Sequence, residues 1–169
     1  MGRLAGKSAV VLGAAGRGNM GQVMARTFAR EGARVMVAGR HEGPLREFAT
    51  ELGGRYATCD ITQKADVEAL ANAAVEAFGK IDVAVNCTGW GLMAKLLDTT
   101  EEQLDQLSAL QFKGPYFFLQ AFVGRTGNAL WASWLAESAA LAAHSIGQSM
   151  LAQRLLEQVH AAHDAGADG

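Results

Sequence analysis

The sequence predicts an α/β fold, a parallel sheet of about four strands flanked by helices and followed by a helical C-terminal end. Three observations carry this. Short apolar runs alternate with helical patterns over the first 90 residues, which implies βαβ units, right-handed crossovers and a parallel sheet. A glycine cluster separates the first apolar run from the first helix. Beyond Val123 the chain is alanine-rich and shows no strand pattern.

Ser8 to Leu12 is a buried-type strand. Met20 to Arg30 reads as a helix with Met20, Val23, Met24 and Phe28 near one face, closed by Glu31-Gly32. Arg34 to Ala38 is the second strand, and Gly43 to Leu52 the second helix, opening at Pro44. Tyr56 to Cys59 is the third strand. Ala65 to Phe78 is the third helix, with Val67, Leu70, Ala74 and Phe78 on one face, and Ile81 to Asn86 is the fourth strand. Thr99-Thr100-Glu101-Glu102 opens a further helix, since threonine caps and acids suit a first turn. Its apolar positions are Leu104, Leu107, Leu110, Phe112, Phe117, Phe118 and Phe122, with a kink expected at Pro115. Gly124 to Asn128 breaks the pattern, Ala129 to His163 is helical by propensity, and Asp164 to Gly169 is a tail. The organisation expected is an α/β domain over 1–125 and a helical extension over 126–169.

The 169 residues carry a net charge of −2 and half of them are hydrophobic. Disorder is excluded, and so is a general electrostatic pull toward nucleic acid or anionic membrane. No run approaches the length of a membrane span, and the N-terminus has no signal-peptide pattern. Cys59 and Cys87 lack the spacing of a metal pair and form no disulfide framework, so reduced thiols and a cytoplasmic location are expected.

The chemistry lies in Val10 to Gly21, VVLGAAGRGNMG. Gly16-Arg17-Gly18-Asn19-Met20-Gly21 is a G-x-G-x-x-G between a strand and a helix, and Gly13 precedes it. Such a turn lets backbone approach a pyrophosphate, which then rests on the N–H groups of a helix N-terminus. Gly39 stands at the end of the second strand, where an acid would bind the ribose 2′-hydroxyl of NAD. Gly39 has no side chain and Arg40 follows. A guanidinium suits a 2′-phosphate, and Arg17 adds a second positive charge, so NADP is favoured over NAD.

This ordered set resembles the short-chain dehydrogenase/reductase family over residues 5 to 123. Gly13 to Gly21 looks like a longer variant of its Gly-x-x-x-Gly-x-Gly turn, with Gly13, Gly16, Arg17, Gly18 and Met20 as cofactor-binding candidates. Ala38-Gly39-Arg40 matches the end of the family's second strand. Cys59-Asp60-Ile61-Thr62 resembles the segment whose aspartate contacts adenine, which marks Asp60 and Ile61. Val85-Asn86-Cys87-Thr88-Gly89 resembles the family's Asn-Asn-Ala-Gly, with Cys87 and Thr88 as departures, and marks Asn86, Thr88 and Gly89. Gln111 stands where the family has a catalytic asparagine. The resemblance implies a Rossmann-like sheet of order 3-2-1-4 and hydride transfer between a nicotinamide dinucleotide and a carbonyl or alcohol carbon.

The family's catalytic serine, tyrosine and lysine have no counterpart. The tyrosines are Tyr56 and Tyr116, no lysine follows Lys113, and no Tyr-x-x-x-Lys occurs. Catalytic residues are therefore unassigned. Ser138 and His144 are weighed as replacements, but ordinary helix positions are the preferred reading. His160 and His163 lie about one helical turn apart without a third ligand, so no metal site is expected. Trp131 and Trp134 are read as core. The fourth strand would be left as an unpaired edge, which the C-terminal helix or a second subunit in a homodimer would cover. Trp90 to Leu97 is the candidate lip for an unidentified small-molecule substrate. Besides the oxidoreductase, two alternatives stay open. One is a truncated dinucleotide-binding module with impaired catalysis, and the other is an assembly protein driven by the C-terminal helix.

Overall fold

The computed structural model describes residues 2–125. Strands β1 (Ser8–Leu12), β2 (Arg34–Gly39), β3 (Arg55–Thr58) and β4 (Val83–Asn86) form one sheet in the order β3-β2-β1-β4. All three pairings are parallel, with Val10 opposite Met36 on one side and Ala84 on the other. Both faces of the sheet are covered, which is why its central strands read as unbroken apolar runs.

Alternate residues divide the core. Ala9, Val11, Val35 and Val37 pack with Ala25 of α1 (Met20–Arg30) and with Leu45, Phe48 and Ala49 of α2 (Glu42–Leu52). Val10, Leu12, Met36 and Ala38 pack with Val67, Leu70, Ala71 and Ala74 of α3 (Lys64–Phe78). Phe118, Ala121 and Phe122 join that second cluster from a later helix, and the Phe118 and Phe122 rings lie 4.4 Å apart.

Several expected boundaries shift. Strand β2 runs one residue further, β3 starts and ends one residue earlier, and β4 begins only at Val83. The face assigned to α1 is also corrected: Met20 and Val23 are exposed, and Gly21, Gln22 and Ala25 turn inward. A Cβ at position 21 would stand 2.6 Å from the Gly13 carbonyl oxygen, so the helix start lies too close to the β1 turn for a longer inward residue.

The next helix is not one kinked rod. Helix α4 (Glu101–Ser108) has a full capping box between Thr100 and Gln103. A π turn over Ala109–Lys113 follows, and α5 (Gly114–Val123) continues. The Gly114 N–H reaches the Ala109 carbonyl, five residues back. Pro115 brings no N–H and its ring would crowd the carbonyl four residues earlier, so the widened turn sits where the proline demands it. Leu104 and Phe112 are exposed rather than part of an apolar seam.

Among the described residues β4 is an edge strand. The expected extension over 126–169, with Trp131, Trp134, Ser138, His144, His160 and His163, lies outside the described residues.

Candidate functional site

The site candidates collect at the carboxyl ends of the strands, around the point between β1 and β4 where the strand order reverses. Gly13 leaves β1 with φ +96°, a conformation that favours glycine. A Cβ there would also stand 2.7 Å from the backbone of Cys87, so the turn after β1 abuts the chain leaving β4. The N–H groups of Gly13 and Ala14 both donate to the Ala38 carbonyl, at 2.8 and 3.0 Å, which pins the turn to β2.

Asn19 and Gln22 hold the rest of the turn. Asn19 caps α1, its Oδ1 accepting from Gln22 N–H at 2.9 Å. Its Nδ2 donates to the Gly13 carbonyl at 2.7 Å. Gln22 is buried, with Oε1 accepting from Gly18 N–H and Nε2 donating to the Ala14 carbonyl. The N–H groups of Ala15, Gly16, Arg17, Met20 and Gly21 have no acceptor among the described residues. A side-chain-braced turn with free donors at a helix start suits a pyrophosphate, so the residues present fit a dinucleotide.

At the end of β2, Gly39 is buried and a Cβ there would meet the Ala15 side chain at 3.1 Å. Arg40 and Arg17 are exposed, and neither guanidinium has a hydrogen bond or ion pair among the described residues. The nearby acid Glu42 is engaged elsewhere, accepting from the Tyr56 hydroxyl at 3.2 Å.

The ends of β3 and β4 carry matching turns. Asp60 Oδ1 accepts from Thr62 N–H at 2.9 Å and from its hydroxyl at 2.8 Å. Asn86 Oδ1 accepts from Thr88 N–H at 2.9 Å and from its hydroxyl at 2.7 Å. In each pair the Asp or Asn side-chain oxygen closes an Asx turn just past the strand end, and the threonine hydroxyl adds a second donor to it. Asp60 Oδ2 and Asn86 Nδ2 make no hydrogen bond among the described residues. Ile61 is buried in the core beside Asp60, and Gly89 is exposed.

Both thiols are held toward their protonated form. Burial, with Asp66 and Asp60 adding to it, pushes Cys59 up to about 12. Burial also raises Cys87, whose Sγ lies 3.6 Å from Met24 Sδ. Gln111 ties the π turn to the loop after β4, its Nε2 donating to the Trp90 carbonyl at 2.7 Å. Among the described residues no group of three or more metal-ligating side chains occurs, and no helix is long and apolar enough to cross a membrane.

Two of the residues that shape this site escape sequence reasoning. Asn19 had a legible signal, a capping side chain directly before a helix. Gln22 had none, because its burial follows only from the approach of α1 to the turn.

A family model described as enoyl-(acyl carrier protein) reductase matches residues 13–158. An uncharacterised oxidoreductase of Staphylococcus epidermidis is 32% identical over 123 residues, 72% of this chain and 53% of its own length. A mitochondrial borneol dehydrogenase of Lavandula x intermedia is 38% identical over 87 residues, 52% of this chain and 33% of its own. A short-chain dehydrogenase structure from Mycobacterium smegmatis superposes with a TM-score of 0.70 at 33% identity, covering 74% of this chain and 54% of that one. An actinorhodin polyketide ketoreductase variant solved with NADPH gives a TM-score of 0.67 at 28% identity, covering 73% of this chain and 48% of that one. The chain spans about half the length of the first of these curated relatives.

Proposed function

The chain belongs to the short-chain dehydrogenase/reductase family, and from that membership we propose that it binds a nicotinamide dinucleotide, NADP in preference to NAD. The observation that carries the reading is the braced turn from Gly13 to Gly21 with its unmet N–H donors. In this reading the free N–H groups of Gly16, Arg17 and Met20 take the pyrophosphate, Gly13 and Gly18 shape the turn around it through their positive φ, and Arg40, with Arg17, takes the 2′-phosphate. Asp60 Oδ2 and the Ile61 backbone border the adenine, while Asn86, Thr88 and Gly89 line the path toward the nicotinamide. A bound dinucleotide supplies a hydride donor or acceptor for a carbonyl or alcohol carbon. The ketoreductase neighbour solved with NADPH supports the preference for a 2′-phosphorylated cofactor.

A second reading, kept as the alternative, is dinucleotide binding without redox turnover. No Tyr-x-x-x-Lys stands anywhere in the 169 residues, and Gln111 replaces the family's asparagine. The domain boundary at 125/126 and a homodimer through the C-terminal helix or the β4 edge remain parts of the proposal.

Titration calorimetry with NADPH and NADH tests the first reading. Saturable binding with NADPH tighter is expected, and no binding of either at millimolar ligand overturns it. Turnover against a carbonyl and alcohol panel separates the two readings, since a protein that binds NADPH and reduces nothing fits the second.

A further inference from the structure

Arg40 has an acid two residues away and still pairs with nothing among the described residues. That acid, Glu42, is the first residue of α2, where a carboxylate is favoured by the helix N-terminus. Its Oε1 accepts from the Tyr56 hydroxyl at 3.2 Å, and Arg46 Nη1 stands 3.9 Å from the same oxygen. Tyr56 is not a loose surface tyrosine. It sits on β3 opposite Val37 of β2 and packs, half buried, in the same core cluster as Leu45 and Phe48 of α2. The sheet therefore fixes where its hydroxyl is offered.

A carboxylate released from these partners beside the end of β2 has two effects. It compensates the Arg40 charge, and it repels a 2′-phosphate while accepting from a bare ribose 2′-hydroxyl. We propose that Tyr56 and Arg46 are positioning residues for cofactor choice: they hold Glu42 away from Arg40 and so preserve the preference for a 2′-phosphorylated dinucleotide. This rests on the dinucleotide reading above and adds residues to it that touch no cofactor themselves.

The test compares dissociation constants for NADPH and NADH in the wild-type chain and in Tyr56→Phe/Arg46→Gln. Phenylalanine keeps the ring in the core, and an unchanged thermal midpoint confirms that the fold is retained. NADPH binding is expected to weaken about three- to fivefold, the size of surface ion-pair effects, with NADH within about twofold. Adding Glu42→Gln to the double variant should restore NADPH affinity, because the released charge is gone. The loss should shrink at physiological ionic strength, where screening acts over about 8 Å. An NADPH-to-NADH ratio equal to wild type in the double variant overturns the proposal while leaving the dinucleotide reading intact. A weakened ratio that Glu42→Gln fails to restore also overturns it, since the role is then structural. Failure of the wild-type chain to bind either dinucleotide removes both.

Discussion

At the amino end of β1 the polar groups of Ser8 are fully met by residues more than 70 positions away. Ser8 N–H donates to Asp82 Oδ2 at 2.9 Å, and its hydroxyl donates to the Lys80 carbonyl. Lys7 and Lys80 each place Nζ 3.1 Å from Asp82 Oδ1. At the carboxyl end of the same strand, the turn from Gly13 to Gly21 is braced just as firmly, yet five consecutive or nearby N–H groups are left without acceptors. One end closes the sheet and the other offers donors. Both ends are ordered, and the difference lies in whether the order consumes the donors or presents them.

The largest effect is expected where the presenting end is filled. Gly21→Val puts a side chain within 2.6 Å of the Gly13 carbonyl oxygen. It should destabilise the fold by about 3 kcal/mol or more and abolish dinucleotide binding. Urea unfolding and calorimetry read the two effects. An unchanged urea midpoint would mean that α1 does not approach the turn this closely.

Breaking the closing end comes next. Asp82→Asn weakens the contacts to Ser8 N–H, Lys7 and Lys80 and is expected to cost about 2 kcal/mol at neutral pH. Burial alone would raise the Asp82 pKa, but the Ser8 N–H, Lys80 and Lys7 outweigh it and hold the carboxyl well below the usual carboxylate range. A folded-state pKa below the unfolded value of about 3.9 adds stability above that value, lost as pH falls through it toward the folded pKa. Wild-type stability should therefore drop below about pH 4, and the Asn variant should show a flatter acid limb. A parallel acid limb in the two proteins would assign the loss to other carboxylates. Dinucleotide affinity, read at the opposite end of β1, should stay within about twofold at neutral pH.

Arg40→Ala tests the presenting end without touching its packing. NADPH affinity should fall about tenfold, the worth of one charge-assisted hydrogen bond, with NADH and the thermal midpoint nearly unchanged. Equal losses for both dinucleotides would contradict a 2′-phosphate contact. The smallest effect is expected from Thr88→Val, which removes the hydroxyl donor to Asn86 while keeping the volume. A loss of about 1 kcal/mol or less is expected, measured by urea unfolding.

Much of this contrast was legible in the sequence at its presenting end. Gly13, Gly16, Gly18 and Gly21 announce a turn that side chains would obstruct, and Arg40 after Gly39 announces a charge beside it. The start and stop signals of helix α1 are local and bound it at Met20 and Arg30, yet apolar periodicity selects the wrong face for burial. Periodicity ranks residues by apolarity, and it could not register that a close backbone approach selects Gly21 and Ala25 over Met20 and Val23. From sequence alone Pro115 signals only a kink, where the structure has a π turn, for a related reason. The proline signals a missing donor, and the path by which the chain absorbs the loss depends on what α5 packs against.

Strand and helix alternation, the sheet class and the glycine turn are set locally along the chain, because each depends on spacing or conformation within a few residues. How these elements are used depends on the packed fold. It brought Asp82 to Ser8, Tyr56 to Glu42 and Gln111 to Trp90, pairs separated by 74, 14 and 21 positions. Hydrogen-bond partners that distant are chosen by the register of the sheet and the seating of helices on it, and neither leaves a local mark in the order of residues.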